Sequence, residues 1–204
     1  MIKAVLFDFG GVLTEGGKSG GIERTMGRLY GISPKDVNMT DLHEKLRRGQ
    51  MLDEDFFNEL NRRHGRGSVT VTEAIFHAEA DVFVRSKPVY ALAERLRKSG
   101  IKTGILSNFY KMGAIELEKR GFYEGFAPVV LSCDECMVKP EEQFYQIAVD
   151  RLGVAPDEII FIDDQPKCLP PAERMGMFTV KADSPEQIVA DVTKIIKEQN
   201  GLDL

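Results

Sequence analysis

Four places in this chain put residues capable of chemistry where a buried strand would end. Asp8 closes the run IKAVLF, and Ser107-Asn108 closes IKTGIL. Lys139-Pro140 follows PVVLS after a short loop, and Asp163-Asp164 closes EIIFI. Two adjacent acids at the end of an apolar run are costly to desolvate unless they have partners. Three carboxylates brought together repel each other and take up protons unless a cation sits among them. Mg²⁺ is the natural cation: it is hard and oxygen-seeking, and is held by one or two carboxylates with waters and a phosphate. Lysine offers a point charge to phosphate oxygens, and serine and asparagine offer hydrogen-bond donors. A carboxylate can then act as a nucleophile and form an aspartyl-phosphate, with metal and lysine neutralising the charge it shares with the phosphoryl group.

That chemistry requires the four places to meet, which depends on the elements between them. Apolar runs over 2–7, 101–106, 128–132, 158–162 and 177–181 predict strands buried on both faces, as in a parallel sheet. Helical patterns over 88–98, 110–120, 140–152, 169–175 and 185–199 alternate with them. The first of these helices is stopped by Ser99-Gly100, and the third opens on Pro140 and ends at Gly153. Strands alternating with helices give βαβ units and a three-layer, doubly wound α/β fold. Ligands of such folds bind at the carboxyl ends of the strands, where the chain order reverses, so all four polar places fall on one rim.

Between the first and second strands the pattern changes. The stretches IERTMGRLYG, TDLHEKLRRGQ, LDEDFFNELNRRHG and TEAIFHAEADVF are polar, charged and helical in period, with a short β-like SVTV at 68–71. They read as a small helical cap over 17–85, inserted into an α/β core made of 1–16 and 86–204. EGGKSGG at 15–21 reads as its hinge. Asp53 is placed to cap the helix that carries Phe56, Phe57 and Leu60, and the two phenylalanines read as cap core or as its seam with the sheet domain. Arg47-Arg48 reads as a solvated helix face, with contact to an anionic substrate as the alternative. His43, His64 and His77 carry no assigned chemistry.

Composition narrows the function classes. The chain has 204 residues, of which 43% are hydrophobic and 29% charged, the balance of an ordinary globular domain with its own core. A formal net charge of −5 argues against sequence-independent nucleic-acid binding, which needs clustered positive charge. No apolar run reaches the roughly 18 residues of a membrane span, and Asp8 interrupts the apolar start in a way a signal peptide would not tolerate. The expectation is a cytoplasmic protein acting on a small molecule, as a monomer or homodimer. Of the three cysteines, Cys133 and Cys136 form a C-x-x-C in a loop-like stretch with two acids, which raise thiol pKa values. No histidine lies near to complete a zinc site, so the cysteines read as reduced and incidental.

VLFDFGGVLT at 5–14, ILSNF at 105–109, MVKPEEQFY at 137–145 and IIFIDDQPKCLPPAERMGM at 159–177 resemble, in order, the four motifs of the haloacid dehalogenase superfamily. The spacings from Asp8 to Ser107, Lys139 and Asp163 resemble those of members with a helical cap between the first two motifs. The first motif is most similar to those of sugar-phosphate phosphatases and of the amino-terminal phosphatase domain of soluble epoxide hydrolases. The resemblance implies a Mg²⁺-dependent phosphatase acting on a small phosphorylated metabolite. By position, Asp8 is then nucleophile and metal ligand, and Gly10 lends the metal its carbonyl. Ser107 and Asn108 bind the phosphoryl group, Lys139 steadies nucleophile and phosphate, and Asp163 and Asp164 hold the metal.

The chain departs from the pattern at Gly10, where most phosphatases of the family carry an aspartate that acts as general acid and base. Losing such a group costs about 10²–10⁴-fold. Cys168 stands where relatives often place asparagine, and Pro170-Pro171 replaces the usual helix start. Gly10 keeps two further readings open: a metal-independent 2-haloacid dehalogenase, which lacks that aspartate but also lacks the paired acids seen here, and a weakly active or non-catalytic binding module. A phosphomutase would need the missing aspartate.

Overall fold

The computed structural model describes residues 1–15, 21–65 and 83–204. Most of the glycine-rich 15–21 stretch, the β-like 68–71, most of TEAIFHAEADVF and His77 lie outside the described residues. Five strands form one parallel sheet: β1 (Ala4–Phe7), β2 (Lys102–Ser107), β3 (Val129–Leu131), β4 (Ile159–Asp163) and β5 (Phe178–Lys181). Their order is β3-β2-β1-β4-β5. The chain therefore builds outward from β1 on one side and then returns to its other side. That reversal opens a crevice at the carboxyl ends of β1 and β4.

Alternate residues of each strand face opposite layers. Val5 and Phe7 of β1, Ile105 of β2 and Ile160 and Ile162 of β4 join one buried cluster. Ala4, Leu6, Leu106, Ile159 and Phe161 join the other. Helices α4 (Lys87–Lys98) and α9 (Pro185–Asn200) cover the first face, burying Leu92 and Leu96 with Ile188, Val192 and Ile196. Helices α7 (Glu142–Leu152) and α8 (Leu169–Arg174) cover the second with Phe144, Tyr145, Ala148 and Ala172. The three layers expected from the alternating pattern are present, and helix α5 (Lys111–Lys119) links β2 to β3. Helix α4 ends at Ser99, with Gly100 at φ +79°, and α7 ends on Gly153 at φ +65°, both in the left-handed region that glycine enters without strain.

Three described α-helices and a short 3-10 turn (Pro34–Asp36) lie between β1 and α4: α1 (Gly21–Tyr30), α2 (Thr40–Arg47) and α3 (Asp53–His64). Met26, Tyr30, Leu42, Leu46, Phe56, Phe57 and Leu60 are buried and belong to the first cluster of the sheet. The chain leaves and returns at one point, where Glu15 N–H donates to Val84 O at 2.8 Å and Ser86 N–H to Leu13 O at 2.9 Å.

Three local expectations are corrected. Asp53 is not a cap: Leu52 holds that position, and Asp53 is the first helical residue. Pro140 does not open a helix. Glu141 takes the cap position of α7 and the helix starts at Glu142, because Glu141 N–H closes a turn onto Val138 O at 2.8 Å. The stretch after β3 is not a loop, since Ser132–Glu135 forms a short helical turn, α6, that ends with Cys136 at φ 56°. The three cysteines are free, and burial pushes the Cys133 and Cys168 thiols up to about 12.

Candidate active site

Asp8 is the first residue past β1, and its N–H is tied to Ile162 O of β4 at 2.8 Å. Phe9 then turns away into a ring of Phe83, Phe109, Phe122 and Tyr123, with centroids 5.5 to 6.0 Å from its own. Leu13 and Thr14 both return N–H groups to Phe9 O, at 3.0 and 3.2 Å. The loop between them doubles back through Gly11 at φ +77°, where a Cβ would stand 2.7 Å from Asp164 Oδ2. Both the dihedral and the close acid require glycine there.

Lys139 joins the acids. Its Nζ lies 2.7 Å from Asp8 Oδ1 and 2.6 Å from Asp163 Oδ2, and the lysine is 3% exposed. Asp163 is fully buried, and its Oδ1 accepts the N–H of Gln165 at 2.8 Å. Ser107 is buried at the end of β2. One ligand oxygen from each of Asp8, Asp163 and Asp164 can be chosen so that all three lie within 4.8 Å of one another. The four strand ends named from the sequence therefore do meet on one rim.

The charges at this rim do not balance, since three carboxylates face one ammonium. Burial pushes the Asp8 carboxyl up from 3.8 to about 7; Lys139 opposes this, and Asp163 and Asp164 reinforce it. Burial alone would pull Lys139 down, but Asp163 and Asp8 outweigh it and hold the lysine protonated above its ordinary value. An all-oxygen cluster of three carboxylates suits a hard divalent cation.

The Asn108 side chain also has a partner within the protein. Its side chain clasps the Lys139 backbone from both sides, Nδ2 donating to Lys139 O at 3.0 Å and Oδ1 accepting Lys139 N–H at 2.8 Å. One N–H of its amide group remains for another acceptor. Sequence reasoning missed this clasp, and it missed Ser132, Gln165 and Glu141. The Arg47-Arg48 expectation also needs correction, because Arg48 is half-buried and forks onto Glu141 beside Lys139. No sequence signal ties residues 93 apart. Cys168 contributes through its backbone carbonyl, which accepts the buried Tyr145 hydroxyl at 2.7 Å.

A doubly wound sheet thus gathers a strand-end aspartate, a buried lysine and paired acids on its carboxyl edge. The model of the haloacid dehalogenase-like hydrolases matches residues 2–176, and the chain belongs to that family. Acyl-CoA dehydrogenase family member 10 of Mus musculus is 29% identical over 153 residues; the match covers 73% of this chain but only 14% of that protein. Pyrophosphatase PpaX of Oceanobacillus iheyensis is 24% identical over 211 residues, covering 96% of this chain and 95% of that one. Among solved structures, a HAD-like family hydrolase from Porphyromonas gingivalis superposes with a TM-score of 0.81 at 26% identity, covering 98% of this chain and 100% of the other. The HAD family enzyme bt-2542 of Bacteroides thetaiotaomicron, in complex with magnesium and inorganic phosphate, superposes at 0.75 with 22% identity over 90% of this chain and 96% of that one. The last likeness is one of fold.

Proposed function

We propose that this hydrolase is a Mg²⁺-dependent phosphatase of small phosphorylated metabolites, with Asp8 as nucleophile. The observation that carries this reading is the bridge of Lys139 Nζ between Asp8 and Asp163, 2.7 and 2.6 Å long, beside a third acid. Asp8, Asp163 and Asp164, with the Gly10 carbonyl, would hold the ion, which when bound neutralises charge on the nucleophile and on the phosphoryl oxygens. The pyrophosphatase name of the full-length relative and the magnesium and phosphate of bt-2542 support the same reading.

Asp8 attacks phosphorus, the bond to the leaving oxygen breaks, and an aspartyl-phosphate forms on Asp8. Water then attacks that phosphorus, releasing phosphate and restoring the carboxylate. Lys139 orients Asp8 and favours its ionised form against burial, while Ser107 and the remaining Asn108 N–H donate to phosphoryl oxygens. Gly10 cannot protonate the leaving oxygen, which favours substrates whose leaving group departs easily, such as anomeric sugar phosphates or acyl phosphates. Residues 17–85 would act as the cap that shapes the pocket. Gly10 also fits a metal-independent dehalogenase, but the Asp163-Asp164 pair beside Asp8 favours the metal-dependent reaction.

The test is phosphate release from a panel of phosphorylated metabolites, with and without Mg²⁺, by the wild type and Asp8→Asn. Magnesium-dependent release that disappears in the variant is expected. Release that survives Asp8→Asn, or halide release without metal, would overturn the reading.

A further inference from the structure

Three consecutive residues at the end of α2 each grip the loops that carry Asn108 and Lys139. The Arg47 carbonyl accepts the Ser132 hydroxyl at 2.6 Å, and that fully buried oxygen also takes the Phe109 N–H at 3.0 Å. Gly49, at φ +62°, lies so close to the core that a Cβ would stand 2.2 Å from Cys133 O. Between them Arg48 donates through one terminal nitrogen to Glu141 Oε2 at 3.2 Å, and through the other to Glu141 Oε1. Its Nε is steadied by Glu44 at 2.9 Å. Glu141 in turn accepts the Val138 N–H at 3.3 Å and returns its own N–H to Val138 O. The Val138–Glu141 turn that presents Lys139 is therefore closed by Glu141, and Glu141 is held by Arg48.

We propose that Arg48 is a positioning residue for Lys139: by forking onto Glu141, the inserted helices set the turn that aims the ammonium at Asp8 and Asp163. The catalytic consequence rests on the phosphatase reading, whereas the structural one does not. Partly exposed ion pairs add little stability. A planar fork on a carboxylate, however, fixes orientation in a way a point charge cannot, and displacement of a reacting group by about 1 Å can cost about 10²-fold in rate. The pairing also makes completion of the lysine site depend on contact between the inserted helices and the sheet domain.

Two readouts on the full chain test this. Hydrogen exchange of the Val138, Lys139 and Glu141 amides is compared in metal-free wild type and Arg48→Ala, with thermal midpoints measured alongside. Steady-state phosphate release with Mg²⁺ is measured for Arg48→Ala, Glu141→Gln and the double variant. We expect exchange of these amides to rise at least about tenfold while the midpoint moves by no more than a few degrees. We expect kcat to fall about 10- to 100-fold with KM changed less, and the double variant to be no worse than either single one. Unchanged exchange, unchanged kcat or additive losses would overturn the proposal. If the wild type releases no phosphate, the phosphatase reading fails, and the exchange arm alone decides whether Arg48 holds the turn. If Arg48→Ala does not fold, Arg48→Lys, which keeps the charge and loses the fork, is read in the same two ways.

Discussion

Replacing Asp8 with asparagine should make the metal-free protein more stable at neutral and alkaline pH, although it removes the proposed nucleophile. Burial, with Asp163 and Asp164, moves the Asp8 carboxyl from 3.8 to about 7 despite Lys139. The folded chain therefore holds this proton more tightly than the unfolded chain, and folding stability from this group falls as pH rises from 3.8 to about 7. Three units at about 1.4 kcal/mol each give a penalty of about 4 kcal/mol, fully incurred above pH 7. Asparagine carries no charge and escapes it. In EDTA at about pH 8, Asp8→Asn should gain up to about 4 kcal/mol, or roughly 8–16 °C in midpoint for a domain of this size. At about pH 4.5, where folded wild type keeps the proton, the gain should shrink to about 1 kcal/mol. Thermal and urea unfolding at the two pH values measures the difference, and titrating groups outside the Asp8, Lys139, Asp163 and Asp164 cluster cancel between variant and wild type. Saturating Mg²⁺ should narrow the gap by stabilising the wild type, by about 2.7 kcal/mol at a hundred times Kd. A variant no more stable than wild type at pH 8, or an offset independent of pH, would refute the reasoning.

Asn108→Ala should leave the Lys139 N–H and carbonyl without their partner, costing about 1–3 kcal/mol in urea unfolding and lowering kcat for phosphate release. Gly11→Ala forces a side chain into φ +77° and against Asp164 Oδ2; calorimetric titration should show Mg²⁺ affinity about 10–100-fold weaker, with a stability loss of about 1–3 kcal/mol. Gly10→Asp should restore an acid where leaving-group protonation is lacking. It should speed hydrolysis of alkyl phosphates by at least about tenfold and change aryl phosphates little, and equal effects on both would show that protonation is not limiting.

The sequence was sufficient for the periodic features. Buried strands read as apolar runs because both of their faces are covered, and each run ended within a residue or two of its expected boundary. Polar residues at the ends of those runs fall on one rim by pattern alone, because a parallel doubly wound sheet sends every strand's carboxyl end to the same side. Asp8, Ser107, Lys139 and Asp163 were legible for that reason. Where an element began was less legible when a local hydrogen bond, not a propensity, decided it: α7 starts at Glu142 because the Glu141 N–H closes the preceding turn.

The tertiary structure alone decided how those residues are held. Asn108 was named from its place after Ser107, yet its side chain serves the Lys139 backbone. Arg48 looked like part of a solvated face until α2 was laid against the Val138–Glu141 turn. Such pairings leave no periodic trace, because a hydrogen bond depends on atoms within about 3 Å and the partners here belong to segments that meet only when the sheet orders them. The residue types that can do chemistry, and the edge they occupy, follow from local pattern. Their partners, protonation and aim follow from which distant segments the fold presses together.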